Sequence, residues 1–78
     1  MEYILVLCTI NNLENAKQIS KTLVTEKLAA CVNIIPGLTS IYSWKQEIVE
    51  DTELLMLIKT KKILLNELKS RIVELHEY

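Results

Sequence analysis

Seventy-eight residues, half of them apolar and 24% charged, make one small domain near the size at which a single core only just holds a chain together. Nine basic against ten acidic side chains give a net charge of -1, and the only local basic group is Lys59, Lys61 and Lys62, so neither nucleic acid nor anionic lipid is an electrostatic partner. No apolar run approaches the ~20 residues of a membrane span, Met1-Glu2-Tyr3 lacks a basic signal-peptide start, and two cysteines without export features read as free thiols in the cytoplasm.

Residues 3–8, Y-I-L-V-L-C, have the composition of a central strand. Asn11 stands three residues before Glu14, as in a capping box. Leu13, Ala16, Ile19, Leu23 and Leu28 then recur at helical spacing, predicting an amphipathic helix of roughly four turns. Almost all of residues 28–45 reads as a single strand. At ~3.3 Å per residue, its residues 30–44 alone would reach on the order of 45 to 50 Å, where ordinary strands have ~5 or 6 residues. Pro36-Gly37 interrupts it, either as a bulge or as a turn between two strands. Lys45-Gln46-Glu47 suits a tight hairpin, and residues 48–60 return as a comparably long strand. Residues 61–76 form a second helix, with Leu65, Leu68, Ile72 and Leu75 on one stripe. The order β-α-β-β-α is five-sixths of a ferredoxin-like α+β two-layer sandwich, here a single domain over residues 1–78 with a long projecting hairpin.

Two features of this order call for more than one copy of the chain. Leu54-Leu55-Met56-Leu57-Ile58 must alternate between the faces of a sheet, and two helices cover only one face. Leaving the other in water forgoes ~1.5 to 3 kcal/mol per large side chain. The first strand is also short, about seven residues, so residues 38 to 51 project as a bare ribbon, which is marginal in water unless a neighbour packs on it. Tyr42 and Trp44, two residues apart on that ribbon, read as an intersubunit contact.

The run Leu28-Ala29-Ala30-Cys31-Val32-Asn33-Ile34-Ile35-Pro36-Gly37, followed by Thr39-Ser40-Ile41-Tyr42 and Trp44-Lys45, resembles the signature of the CutA family, the divalent-cation tolerance proteins. Val6-Leu7-Cys8-Thr9, Lys59-Thr60, His76 and Tyr78 fit the same pattern in the same order. The resemblance implies a homotrimer with sheets facing inward and ribbons extending onto neighbours. It also implies a last strand and a C-terminal helix beyond a His-Pro-Tyr motif; both are missing from these residues, which on this view are a C-terminal truncation. Two departures stand out: Gln46 replaces a glycine usual in the hairpin, implying a looser loop or another turn type, and Glu77 replaces the proline, implying a longer second helix.

Cys8 and His76 have the best claim to chemistry. The path of the chain puts the end of the first strand and the end of the second helix on the same side of the domain, and a thiolate beside an imidazole suits copper, especially Cu(I), or zinc. The resemblance points the same way, adding a glutamate from the Pro-Glu segment that these residues lack. Against this stand plainer readings: Cys8 as a small core residue and His76 as a charge partner of a helix C-terminus. Cys31, between Ala30 and Val32, reads as packing and is separated from Cys8 by the intervening strand. No P-loop, G-x-G-x-x-G, H-E-x-x-H or nucleophile elbow is present, and a single histidine offers no acid-base pair, so an enzyme is not expected. With no phenylalanine there is no RNA-stacking sheet. The expected function is divalent-cation tolerance by a homotrimer that binds copper or another divalent metal through Cys8 and His76. The alternative is a trimeric signalling or small-ligand module like the PII family.

Overall fold

The most apolar run of the chain, residues 54–58, lies in the middle strand of the sheet, and the parity of its side chains sets the layering. The computed structural model describes residues 2–76. Its elements are β1 (Tyr3–Ile10), α1 (Leu13–Thr25), β2 (Cys31–Trp44), β3 (Glu47–Lys61), a single 3-10 turn at Lys62–Leu64, and α2 (Leu65–Leu75). The strands form one antiparallel sheet in the order β1-β3-β2, which confirms the α+β, ferredoxin-like arrangement. Met56, Ile58 and Thr60 are buried, and the register sets Cys8, Val6 and Ile4 opposite them on β1. Val32 and Ile34 of β2 flank Ile58 and Met56 on the same side. Ala16, Ile19 and Leu23 of α1 and Leu68 of α2 close over this face to complete the core.

The alternate positions have no such cover. Leu5 and Leu7 are 60% and 63% exposed, and they lie beside Leu55, Leu57 and Ile35 on the opposite face of the sheet.

Helix α1 begins one residue later than the Asn11-Glu14 spacing suggests. Asn12 is the cap: its side-chain oxygen accepts from the backbone N–H of Asn15 at 2.9 Å, and residue 15 is an asparagine, so no acidic side chain completes a capping box. The helix closes in a Schellman arrangement, with Leu28 N–H donating to the Leu23 carbonyl at 2.9 Å and Lys27 N–H to that of Val24 at 3.1 Å. Lys27 therefore occupies the left-handed region at φ 61°. The two helices are tied by Arg71, whose Nε and Nη2 donate to the Glu26 carboxylate at 2.9 and 2.8 Å, a bidentate pair that holds the Glu26 carboxyl below its usual range.

Other boundaries also shift. β1 runs on to Ile10, and β3 reaches Lys61, so the second helical segment begins with the 3-10 turn rather than at residue 61. α2 ends at Leu75, with His76 extended at φ -75°, ψ 126°; the longer helix anticipated from Glu77 does not form through His76, and residue 77 lies outside the described residues.

Pro36-Gly37 is a bulge in a continuous strand rather than a turn between two. The β2–β3 register slips between Ile35 and Leu38, with Gly37 at φ 78°. At the far end Trp44 pairs with Glu47, leaving a two-residue turn with Lys45 at φ 49° and Gln46 at φ 66°. Both lie in the left-handed region, the pattern of a type I′ hairpin, so the turn keeps its tight form without glycine and absorbs the strain instead. β1 pairs only with residues 54–61 of β3. The ribbon beyond it gives the molecule a 42 Å long axis against 23 and 20 Å across.

Gln46→Gly removes a left-handed penalty of roughly 1 kcal/mol. The variant is expected to raise the urea midpoint with unchanged denaturant slope; an equal or lower midpoint would show that the turn carries no such strain.

Candidate metal site

Cys8 is placed by β1 on the helix-covered face, directly across from Met56, and packs half-buried against the core. That environment disfavours the charged thiolate, so burial pushes the Cys8 thiol above its ordinary value. His76 follows the last turn of α2, where its backbone N–H still bonds to the Ile72 carbonyl at 2.8 Å. Its extended backbone turns the chain out of the helix at the end of β1 where Cys8 lies.

The two side chains meet at one backbone oxygen. His76 Nε2 is 3.2 Å from the Thr9 carbonyl oxygen, and Cys8 Sγ is 3.8 Å from the same atom. The sulfur and nitrogen are thus no further apart than those two distances end to end. Because a carbonyl only accepts, the Nε2 that bonds to it carries the proton. A metal held by Nε2 would have to displace that hydrogen bond; one held by the other ring nitrogen could keep it as a brace, in the way metal-ligating histidines are commonly oriented.

The donor set fits a soft ion. Thiolate and imidazole together suit Cu(I) and zinc, but no cluster of three or more His, Cys, Asp or Glu side chains forms among the described residues. Two donors are enough for low-coordinate Cu(I), whereas four-coordinate zinc needs further ligands. One soft atom nearby escaped the sequence reading: Met56, opposite Cys8 in the register, which only the strand pairing reveals. Its sulfur is fully buried and accepts from the Ser20 hydroxyl at 3.9 Å, so it belongs to the core packing.

Cys31 is remote from this pair. It lies on the opposite face of the sheet, across from Lys59 and two strands away from β1, and both cysteines are free thiols. Lys59 shares that open face, while Thr60 is buried and donates to the Leu28 carbonyl at 2.6 Å.

In the folded chain, alkylation of Cys8 in a Cys31→Ser background should show a pH midpoint above that of the same cysteine in the denatured chain. A midpoint equal to or below the denatured value would refute the desolvated position. The sign for stability follows: the folded state holds this proton more tightly, so the contribution is complete below the unfolded thiol's pKa and is lost as pH rises through the folded one.

Comparison with known proteins agrees with the fold. The family model for the CutA1 divalent ion tolerance protein matches residues 4–78. The chain is 56% identical over 73 residues to the divalent-cation tolerance protein CutA of Thermus thermophilus, covering 94% of this chain and 71% of that relative; it covers 41% of the chloroplastic protein CutA of Arabidopsis thaliana, to which it is 44% identical over 96% of its own length. A solved structure of the divalent cation tolerance protein (Cut A1) from Thermus thermophilus superimposes with a TM-score of 0.93 at 53% identity, over 99% of this chain and 75% of that one. The PII-like protein CutA from Nostoc sp. PCC 7120 gives 0.85 at 38% identity, over 95% and 69%. With its sheet order, its overlong ribbon and these matches all in agreement, the chain belongs to the CutA1 divalent ion tolerance family.

Proposed function

We propose that this chain acts in divalent-cation tolerance as a cytoplasmic homotrimer that binds copper or another divalent metal, with Cys8 and His76 supplying ligands near a subunit boundary. The observation that carries the metal reading is the convergence of Cys8 Sγ and His76 Nε2 on the Thr9 carbonyl. A soft sulfur and a borderline nitrogen at one strand end match the preferences of Cu(I). No catalytic step is assigned to either residue; their role is to bind. Because the Cys8 thiol is held protonated by burial, metal capture must release a proton and strengthens as pH rises.

Assembly is supported by the uncovered face. Leu5, Leu7, Leu55, Leu57 and Ile35 form an apolar surface of the kind that marks an interface. Three copies packed by this face would each also offer a ribbon to a neighbour, which answers the need for cover on both. A second reading, a PII-like ligand or signalling module without a metal role, draws on the likeness to the Nostoc protein described as PII-like.

Competition with a Cu(I) chelator separates these readings. The parent chain is expected to hold Cu(I) at least tenfold more tightly than Cys8→Ser, with His76→Ala also weakened; equal affinities in all three would remove the pair from any site and leave the ligand-module reading.

Leu7→Glu tests the assembly. On a monomer whose Leu7 is already 63% exposed, the change would cost within about 0.5 kcal/mol, whereas at a packed interface it buries an unpaired charge. Sedimentation should show the parent at three times the 9.0 kDa chain mass and Leu7→Glu dissociated. A parent that sediments as a 9.0 kDa monomer would overturn the trimer.

A further inference from the structure

The near-neutral net charge hides a segregation along the long axis. The ribbon half of the hairpin carries Glu47, Glu50, Asp51 and Glu53 against Lys45 alone, while the opposite end of β3 carries Lys59 and Lys61, with Lys62 following in the 3-10 turn. The Schellman turn adds Lys27 to that basic end: the Leu28 carbonyl that follows it accepts from the Thr60 hydroxyl, and Ala30 N–H donates to the Lys59 carbonyl at 2.8 Å. The acidic side chains close by are already engaged, Glu2 with Lys62 at 3.8 Å and Glu26 with Arg71. Neither Lys27 nor Lys61 forms an ion pair among the described residues.

These two lysines border a cavity of about 310 Å³, with Tyr3, Val24, Ala29 and Leu64 supplying most of the rest of its wall. That volume is at the lower end of the range for small-molecule sites, and the pattern, an apolar lining with a few cationic groups, is the usual one for such a site. It lies at the Tyr3 end of β1, away from Cys8 and His76 at the other end. Lys27 reaches it from a left-handed backbone position that glycine would occupy without strain, so the lysine side chain is present at a conformational cost.

We propose that this cavity binds a small phosphomonoester carrying a flat apolar body, the phosphate held by the Lys27 and Lys61 ammonium groups and the body against the aliphatic wall of Val24, Ala29 and Leu64. Two separate ammonium groups act as point charges that suit a compact dianion. The bidentate fork that a planar carboxylate favours belongs to arginine, and here the described arginine is already committed to Glu26.

Phenyl phosphate is the probe, titrated calorimetrically into the full chain, with inorganic phosphate and benzoate as separate arms. The expected result is saturable binding of one molecule per chain that weakens at least fivefold in Lys27→Gln and in Lys61→Gln, weakens as salt is raised, and is unchanged in Lys45→Gln on the ribbon. Inorganic phosphate should bind more weakly with the same lysine dependence. Non-saturable binding, or full affinity in both lysine variants with unchanged circular dichroism, would overturn the site; benzoate binding as tightly as phenyl phosphate would overturn its phosphate preference. Cys8→Ser should leave phenyl phosphate binding unchanged, so the fate of this site is independent of the metal reading.

Discussion

A three-stranded sheet has two faces, and the described residues supply helices for only one of them. Everything else in the structure is arranged around that shortage. Met56, Ile58 and Leu68 reach full burial because α1 and α2 lie over them. Leu55 and Leu57, one residue out of phase on the same strand, are carried to the other side by the pleat and find no layer there. At ~25 cal/mol per Å² of apolar surface, an uncovered row of leucines is a large unused source of stability for a domain of this length. Lengthening a helix does not reach that face; only another polypeptide surface does.

The same sheet order fixes where chemistry can occur. With β3 in the centre and antiparallel to both neighbours, the end of β1 and the start of β3's inner half fall together, and α2 returns to the same end to deliver His76. The other end gathers the last turn of α1, the start of β1 and the last residues of β3, which is where the lysines collect. The soft donors Cys8 and His76 and the cations Lys27 and Lys61 are thus separated by the length of β1.

Much of this was legible before the structure, for reasons that differ by element. The strand and helix order follows from a change of pattern, from the unbroken apolar run of residues 54–58 to the stripe Leu65, Leu68, Ile72, Leu75 with its period near 3.6, and that pattern depends on side-chain chemistry alone. The start of α1 was misplaced by one residue because Asn11 and Asn12 are chemically identical caps, and only the backbone geometry selects the one whose oxygen meets the amide three residues on. The type I′ turn was obscured by Gln46, since its left-handed conformation is imposed by the pairing of Trp44 with Glu47 and not by local preference. Cys8 and His76 could be placed at one end from the path of the chain, but the Thr9 carbonyl that joins them is a backbone group and leaves no mark in the sequence. That Lys27 and Lys61 border one cavity left no mark in the sequence, because a helix-ending turn sets the place of Lys27 and no spacing rule links the two.

The bulge at Pro36-Gly37 connects the uncovered face to the ribbon. Before it, Ile35 pairs with Leu55, and odd residues of β2 share the open face with odd residues of β3. After it, Leu38 pairs with Glu53, Tyr42 with Val49 and Trp44 with Glu47, so even residues of β2 now take that side. One inserted residue reverses the phase of the outer half of the strand. Without it, Ile41 and Ser43 would lie on the side of Leu7 and Leu57, and the aromatic pair would face the other way. With it, the apolar row of the sheet continues along the ribbon through Leu38, Tyr42 and Trp44, where the Tyr42 hydroxyl is fixed by donating to Asp51. A partner that covers the leucines can therefore extend along the ribbon on the same surface, and the proline-glycine step is what makes the two areas one.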